Sequence, residues 1–453
     1  MKALSATDQA NLDAFIINAS KGKIEIIAPS LKSNFSHRNF IDSSNPLSHD
    51  PMATAEDHVS KKSAFNLTED QLSSYLAAST LLDCFDAWSY LSAATSQLLA
   101  GNRSLSVHLA YYAELRATKS ILASEGIGSF SKHNLSVTST AGIGYFEKAT
   151  HTFLWHALES WIKNPKGAMN LLDSFSFYGR TFTDWMSSTG RVTPLEAQKL
   201  VRSWLRTWSM DLKVFGHDHE SRNSVSYQSG SMKNFALPLD FAPTLDFISS
   251  SWESVLPSAV DAFSIIDKYL LRLLFKELRN YLKVIHKGSS IPSIKELVTT
   301  ASENIGGVPE NIYRFLYSKN ADLANLPVLD EAAKSVDVPF LYSSSPLPVI
   351  SRALLMLRIS TGVAINLLKS ATISASDLSF WTHTICNDLG YVNGPLPGSL
   401  RELDSDILYT LEYIKEWVEN NIGNITLNKF NVDMPNEARI LSQLQRVGLW
   451  NLA

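Results

Sequence analysis

Residues 348–368, PVISRALLMLRISTGVAINLL, are the longest apolar run of the chain, and Arg352 and Arg358 stand in its body. A helix crossing a bilayer would carry two guanidinium groups through hydrocarbon, at about 2.5–3.5 kcal/mol each near the centre. A segment this apolar that does not cross a membrane has to be buried in protein. The run therefore reads as a core helix, and the rest of the chain has to cover it.

Most of the remaining sequence is written in helical periods. TEDQLSSYLAASTLLDCFDAWSYLSAATSQLLAG opens on Thr68 followed by two acids, an N-cap and first turn, and stops at Gly101. LSVHLAYYAELRATKSILASEG follows, closed by Gly126 and Gly128. Next come helical patterns in YFEKATHTFLWHALESWIKN, AMNLLDSFSFYGRTFTDWMSS and TPLEAQKLVRSWLRTWSMDLKVF, the last opening on Thr193, Pro194 and Glu196. In the C-terminal half, Phe263, Ile266, Leu270, Leu274 and Leu278 share one wide face. Further helices are expected near 293–304, 309–318, 347–370, 375–388, 400–421 and 435–446.

KIEIIAP reads as a short strand, residues 134–144 as a Ser/Thr/Gly-rich link, and 228–250 as a loop. With no run of alternating strands and no fixed-period repeat, the class is all-α. The expected architecture is a multi-helix bundle, as two helical domains or one extended helical array. The expected divisions are a mixed N-terminal segment (1–65), a helical domain (66–235) and a C-terminal helical domain (236–453), with a softer break near 320–346.

Net charge of −4 and a pI near 6.3 set up no global field for nucleic acid or an acidic membrane, although a local basic groove is not excluded. Cys84 and Cys386, the two cysteines in 453 residues, build neither a disulfide framework nor a zinc knuckle, and the usage fits a reducing cytosol. The N-terminus lacks the apolar stretch and cleavage site of a secretory signal, so a cytoplasmic protein without a membrane partner is expected.

The densest chemistry lies in FGHDHESRNSVSYQSG, residues 215–230. His217 and His219 are two apart, so on a helix their rings diverge, whereas on an extended segment they share a face. A metal there would need further ligands from elsewhere, such as His133, His151 or His156. The plainer reading is a polar junction between helices, with no metal and no cofactor. Gly-x-Ser-x-Gly, Walker A, Gly-x-Gly-x-x-Gly and His-Glu-x-x-His patterns are all absent, which leaves the commonest hydrolase, NTPase, dinucleotide and zincin readings without a foothold.

HLAYYAELRATKSILASEGIGSFSKH (108–133) resembles a helix of HEPN (higher eukaryotes and prokaryotes nucleotide-binding) proteins through Ala110, Tyr111, Tyr112, Ala113, Ala117, Leu122, Gly126 and His133. Small residues alternating with aromatics let two helices approach closely. HEPN ribonucleases carry an Arg, a polar residue such as Asn, and a His four to six residues on. Arg222 and Asn223 match the head of that motif, and Tyr227 stands at the histidine position. The resemblance covers about residues 66–230. It implies a helical domain whose Arg222, Asn223 and Tyr227 are retained as structure. A tyrosine, titrating near 10, is a poor base at neutral pH, so lost ribonuclease activity is implied too.

Two other segments fit the Arg-to-His spacing. RSLSVH gives Arg103 and His108. RNYLKVIH gives Arg279, Asn280 and His286, where Arg279 and His286 share a helix face. In VRSWLRTWSMDLK, Arg202, Arg206 and Lys213 form a basic stripe among tryptophans that could hold RNA or DNA phosphates. Trp155, Trp161, Trp185, Trp204 and Trp208 themselves read as core.

The leading expectation is a non-catalytic helical scaffold that binds other protein subunits of a prokaryotic system, with anti-phage defence implied by the resemblance. The alternative is a metal-independent ribonuclease using Arg279 and His286, or Arg222 with His219. A metal-dependent hydrolase built on His217 and His219 is the third.

Overall fold

The computed structural model describes residues 3–60, 67–208, 210, 212–227, 239–286, 291–318, 326–334, 345–392, 399–421, 423 and 425–452. Its N-terminal segment holds helices α1 (Ala6–Asn18), α2 (Lys21–Ile27), α3 (Lys32–Phe35) and α4 (Pro51–Ser60). KIEIIAP is thus mainly helix rather than strand. Ser20 caps α2, Ile24 is fully buried and Ile26 is 80% exposed. Positions i and i+2 would share one face of a strand, whereas a helix separates them.

The capping box between Thr68 and Gln71 starts α5 (Glu69–Leu99), and Gly101, at φ +76°, turns the chain into α6 (Arg103–Ser124). A three-stranded antiparallel sheet follows, β1 (Ile127–Phe130), β2 (His133–Val137) and β3 (Ile143–Glu147), in the order β1-β2-β3. Leu135 of β2 stands opposite Gly128 and Tyr145. The expected 134–144 link is therefore mostly strand and turn. Its polar residues are used within the sheet: the buried Asn134 amide donates to the Phe146 and Lys148 carbonyls at 3.0 and 2.8 Å.

Next come α7 (Thr150–Lys163), α8 (Pro165–Asp173), the hairpin β4 (Ser176–Phe177) and β5 (Arg180–Thr181), α9 (Phe182–Ser187) and α10 (Pro194–Arg206). A Thr193–Glu196 capping box starts α10. The stretch expected as a polar junction is α11 (Leu212–Tyr227), and α12 (Phe241–Val255) begins inside the expected 228–250 loop. The buried Phe241, Phe247, Ile248 and Trp252 give α12 its inward face. The C-terminal half continues with α13 (Ser264–Ile285), α14 (Ile294–Asn304), α15 (Glu310–Tyr317), α16 (Pro327–Ala333), α17 (Leu347–Ser370), α18 (Ser379–Asp388), α19 (Ser405–Asn420), α20 (Leu427–Asp433), α21 (Pro435–Leu441) and α22 (Gln445–Leu452). The fold is all-α and multi-helical, with a few short strands.

The apolar run is α17, and 94% of its most apolar window is buried inside the protein. It packs on α5, α6, α16 and α22. Arg352 and Arg358 are 0% and 2% exposed, and each meets a buried aspartate through two hydrogen bonds. Arg352 Nε and Nη2 donate to Asp218 at 2.7 and 2.6 Å, and Arg358 Nε and Nη2 donate to Asp267 at 2.7 and 2.5 Å. Trp88 Nε1 of α5 donates to Thr361 Oγ1 of α17 at 2.9 Å. Gly362 faces the Ser174 carbonyl so closely that a Cβ would sit 1.9 Å from it. One buried cluster includes side chains from both sides of residue 235.

Candidate functional site

Helices α6, α7 and α11 meet along one seam. On α7, His151 and Trp155 are one turn apart, and on α11 so are Phe215 and His219. They pair as two rungs. The rings of His151 and His219 stack at 5.4 Å between centroids, and those of Trp155 and Phe215 at 4.4 Å. The second rung is buried, with Trp155 at 1% and Phe215 at 3% exposure, while both histidines are half-buried and reach solvent.

The AYYA segment of α6 completes the cluster. Ala110, Ala113 and Ala117 are fully buried, which lets neighbouring helices come close. Tyr111 lies 5.7 Å from the His219 ring, and its hydroxyl is 2.9 Å from His151 Nδ1. The Tyr112 hydroxyl accepts from the Arg222 guanidinium, whose Cζ stands 5.3 Å from the Tyr112 ring centre. Arg222 Nη1 also donates to Asn223 Oδ1 at 2.9 Å, and the Asn223 amide lies 3.5 Å from His219 Nε2. His108, one turn before Tyr112, packs on that ring at 5.0 Å, with its Nδ1 2.8 Å from Ser226 Oγ.

Charge in this cluster is tilted against protonated imidazole. Burial, then the neighbouring His219 and Arg222, push His151 down to about 4. Burial and Arg222 also lower His219 and His108. Burial raises Tyr111 far above its ordinary value, so its hydroxyl keeps its proton beside His151 Nδ1. The cluster thus sets one guanidinium beside two imidazoles whose surroundings disfavour the protonated form.

Asp218 precedes His219 and is turned into the core, where it holds Arg352. Beside that pair lies the fully buried Glu114 of α6. Burial first, then the Asp218 charge, raise its carboxyl well above the ordinary range, so Glu114 is a neutral acid. The ion pair ties α11 to α17 directly behind the histidine–arginine cluster.

Of the sequence candidates, the structure brings Arg222, Asn223, His219, His108 and His151 together. Tyr227 ends α11, and its side chain lies outside the described residues. His217 is two positions from His219 on a helix, so the two rings diverge as helical geometry requires. Among the described residues no group of three or more His, Cys, Asp or Glu side chains is placed to hold a metal ion. His133 is in β2, with its Nδ1 3.1 Å from the Tyr145 hydroxyl, and His156 is buried in α7.

Arg279 and His286 lie on and just past α13, away from this seam. His286 is exposed at the C-cap, and no hydrogen bond or ring contact joins it to Arg279. Arg103 begins α6, five residues before His108. Arg202 and Arg206 are on α10, while the Lys213 side chain lies outside the described residues. The five tryptophans expected as core are all buried.

The pairing of α7 with α11 was not legible in the sequence. His151 and Trp155 stand four apart on one amphipathic helix, and Phe215 and His219 repeat that spacing on another. Matched aromatic–imidazole spacings of this kind are the signal that two helices could pair. No family model, curated protein or solved structure matches this chain.

Proposed function

We propose that this chain cleaves RNA phosphodiesters without a metal, at the cluster formed by His151, His219 and Arg222. The single observation that carries the reading is the placement of two solvent-reaching imidazoles beside one guanidinium. RNA supplies its own nucleophile in the 2′-hydroxyl, so the protein has only to hold the phosphate and move protons. Arg222 faces the non-bridging oxygens, where a guanidinium binds anions well. His219 Nε2 takes the proton of the 2′-hydroxyl as the O2′–P bond forms. The P–O5′ bond breaks, and O5′ leaves with a proton from His151 Nε2.

Entry of the anionic phosphate offsets the Arg222 charge that disfavours imidazolium, so His151 takes up the proton it later donates. In that form Nδ1–H donates to the Tyr111 hydroxyl. The products are a 2′,3′-cyclic phosphate and a 5′-hydroxyl. The resemblance of residues 108–133 to HEPN proteins suggests a role in a prokaryotic multi-protein system of the anti-phage kind, acting in the cytoplasm, while Tyr227 in the matched motif argues against cleavage.

A second reading keeps the same helices as a non-catalytic binding component. It is favoured by Tyr227 at the motif histidine position and by Arg222 being already engaged by Tyr112 and Asn223. Incubation of the purified chain with tRNA and a short single-stranded RNA in EDTA separates the two. Cleavage to cyclic-phosphate ends, lost in His219→Ala and in His151→Ala, is expected. Absence of turnover, with stable co-purification of another subunit, would establish the binding component instead. Turnover that EDTA abolishes and a divalent ion restores would overturn the metal-free step.

A further inference from the structure

Helix α13 carries a row of cations with no acids to match. At about 100° per residue, the positions from 268 to 286 that fall in one strip about 80° wide are Lys268, Arg272, Lys276, Arg279, Lys283 and His286. Every one is basic, and the row runs about 27 Å along the helix axis. The chain has a net charge of −4, so the strip is a local excess against the overall balance. An acid three or four residues from a lysine or arginine would stabilise the helix. Here those spacings join cation to cation, at 268/272, 272/276, 276/279 and 279/283, which weakens the helix unless an outside anion answers the charge.

The two acids of α13 are used away from the strip. Asp267 is buried in its pair with Arg358, and Glu277 accepts from the Ser203 hydroxyl of α10 and from the Asn280 amide, the latter at 3.3 Å. Among the described residues, the side chains of Lys268, Lys276, Arg279 and Lys283 enter no ion pair and no hydrogen bond. Arg272 is sunk, at 4% exposure. Its Cζ stands 5.2 Å from the Phe315 ring centre of α15, and Nη2 donates to the Ser318 carbonyl at 3.4 Å. Its Nε and Nη1 have no partner. Burial lowers Lys268, Arg272 and Lys276, the Arg272 charge lowers Lys276 further, and no carboxylate opposes these shifts. A buried guanidinium without a counter-charge is costly to hold, and an anion laid along the strip would supply one.

We propose that this face of α13 is a track for the phosphate backbone of RNA, with Lys268, Lys276, Arg279 and Lys283 on the phosphates and Arg272 as a fixed charge beneath them. The track takes the choice of RNA from the cleavage reading and otherwise stands on the strip alone. A single file of cations, with no acid and no apolar side chain among its positions, fits a polymer that carries a regular row of negative charge. An acidic protein segment would interleave its carboxylates with other side chains, for which the strip offers no counterpart. Contacts of this kind carry no sequence information, so the track holds and orients a strand without selecting its bases.

The probe is a fluorescein-labelled, single-stranded 2′-O-methyl RNA of about 20 nucleotides, which cannot be cleaved, titrated by anisotropy in EDTA across a salt series. The full-length K276Q/R279Q/K283Q variant is expected to bind about tenfold more weakly, and its slope of log affinity against log salt to fall by about 2, the loss of three phosphate contacts on a single strand. K415Q/K429Q/R439Q removes the same charge from exposed positions on α19, α20 and α21 and should keep the slope. An unchanged slope in the α13 variant, or an equal loss in both variants, overturns the proposal. Displacement of the RNA by poly-glutamate of equal charge and concentration would make the strip a site for acidic protein and overturns it too. If the triple variant misfolds by circular dichroism, Lys283→Gln, at an exposed position, gives the same decision with a slope change of about 0.7.

Cleavage of a dinucleoside monophosphate, too short to lie along the track, separates this proposal from the cleavage reading. Dinucleotide turnover with the slope untouched in K276Q/R279Q/K283Q removes the track alone. Absence of turnover with the slope reduced in that variant removes the cleavage reading and leaves the track standing.

Discussion

Replacing Arg352 by methionine tests whether the core of this fold and its candidate site are mechanically joined. Methionine keeps most of the volume and removes the charge. It leaves the Asp218 carboxylate, 1% exposed, without the two hydrogen bonds at 2.7 and 2.6 Å that now satisfy it, and beside Glu114 in the same dry pocket. Breaking a buried pair by removing one partner costs about 3–5 kcal/mol, because the surviving charge is uncompensated. Replacing both partners by apolar groups is often neutral or stabilising, so R352M/D218L should recover most of the loss.

Arg358→Met is the matched control. That pair is equally buried, and each arginine also donates to a carbonyl, Arg352 to Ala332 at 3.4 Å and Arg358 to Ser174 at 3.0 Å, so the stability loss should be comparable. Only Arg352, however, holds α11. Urea unfolding measures the first quantity, and NMR titration of the His219 and His151 ring protons measures the second. Both variants should lose stability, and only Arg352→Met should shift the histidine resonances. A loss under about 1 kcal/mol in Arg352→Met, or a double variant worse than the single, would refute the buried-pair argument. Equal histidine shifts in both variants would refute the coupling to α11.

Glu114 is held neutral with its folded pKa well above 4.5, so its contribution to stability is full below about pH 4.5 and is lost as pH rises through the folded value. Glu114→Gln removes that dependence, and the variant's unfolding free energy relative to the native protein should improve as pH rises above about 4.5 toward the folded value in urea titrations. His219, the base of the proposed step, is lowered, so the acid limb of kcat/KM for RNA cleavage should lie below the ordinary histidine value of 6.5. The same depression, shared by His151 at about 4, means that protonation favours the unfolded chain, and stability should fall as pH drops from about 6.5 through 4. Thr68→Ala should cost about 1 kcal/mol by removing the side-chain half of the α5 capping box, read by thermal or urea unfolding.

Local rules made the long helices legible. Thr68 with its following acids and Thr193-Pro194 with Glu196 mark helix starts, and both proved to be capping boxes. The same rules failed at KIEIIAP, where β-branched residues pointed to a strand, while burial follows the helical spacing of Ile24 and Ile26. They failed again at 134–144, where Ser, Thr and Gly suggested a link, although a strand buried on both faces can hold polar residues that the sheet satisfies. The apolar run with two arginines was read as a core helix, and it is one. What satisfies the arginines could not be read, because Asp218 and Asp267 are 134 and 91 residues away. Nothing local marks an aspartate as an arginine's future partner.

The candidate site shows the same division more sharply. Read in sequence order, Arg222, Asn223 and Tyr227 look like a nuclease motif whose histidine has been replaced. That inference assumes the imidazole must follow the arginine on its own helix. Once 212–227 is helix, His219 lies one turn before Arg222, and His151 reaches the same spot from α7, 71 positions upstream of Arg222. A motif written as arginine, spacer, histidine records one way of placing an imidazole beside a guanidinium. Three helices meeting at a seam offer others, and the chemistry depends on the placement alone. Tyr227 bears on that linear motif alone, and cleavage assays of His151→Ala and His219→Ala test the placement that the motif does not describe.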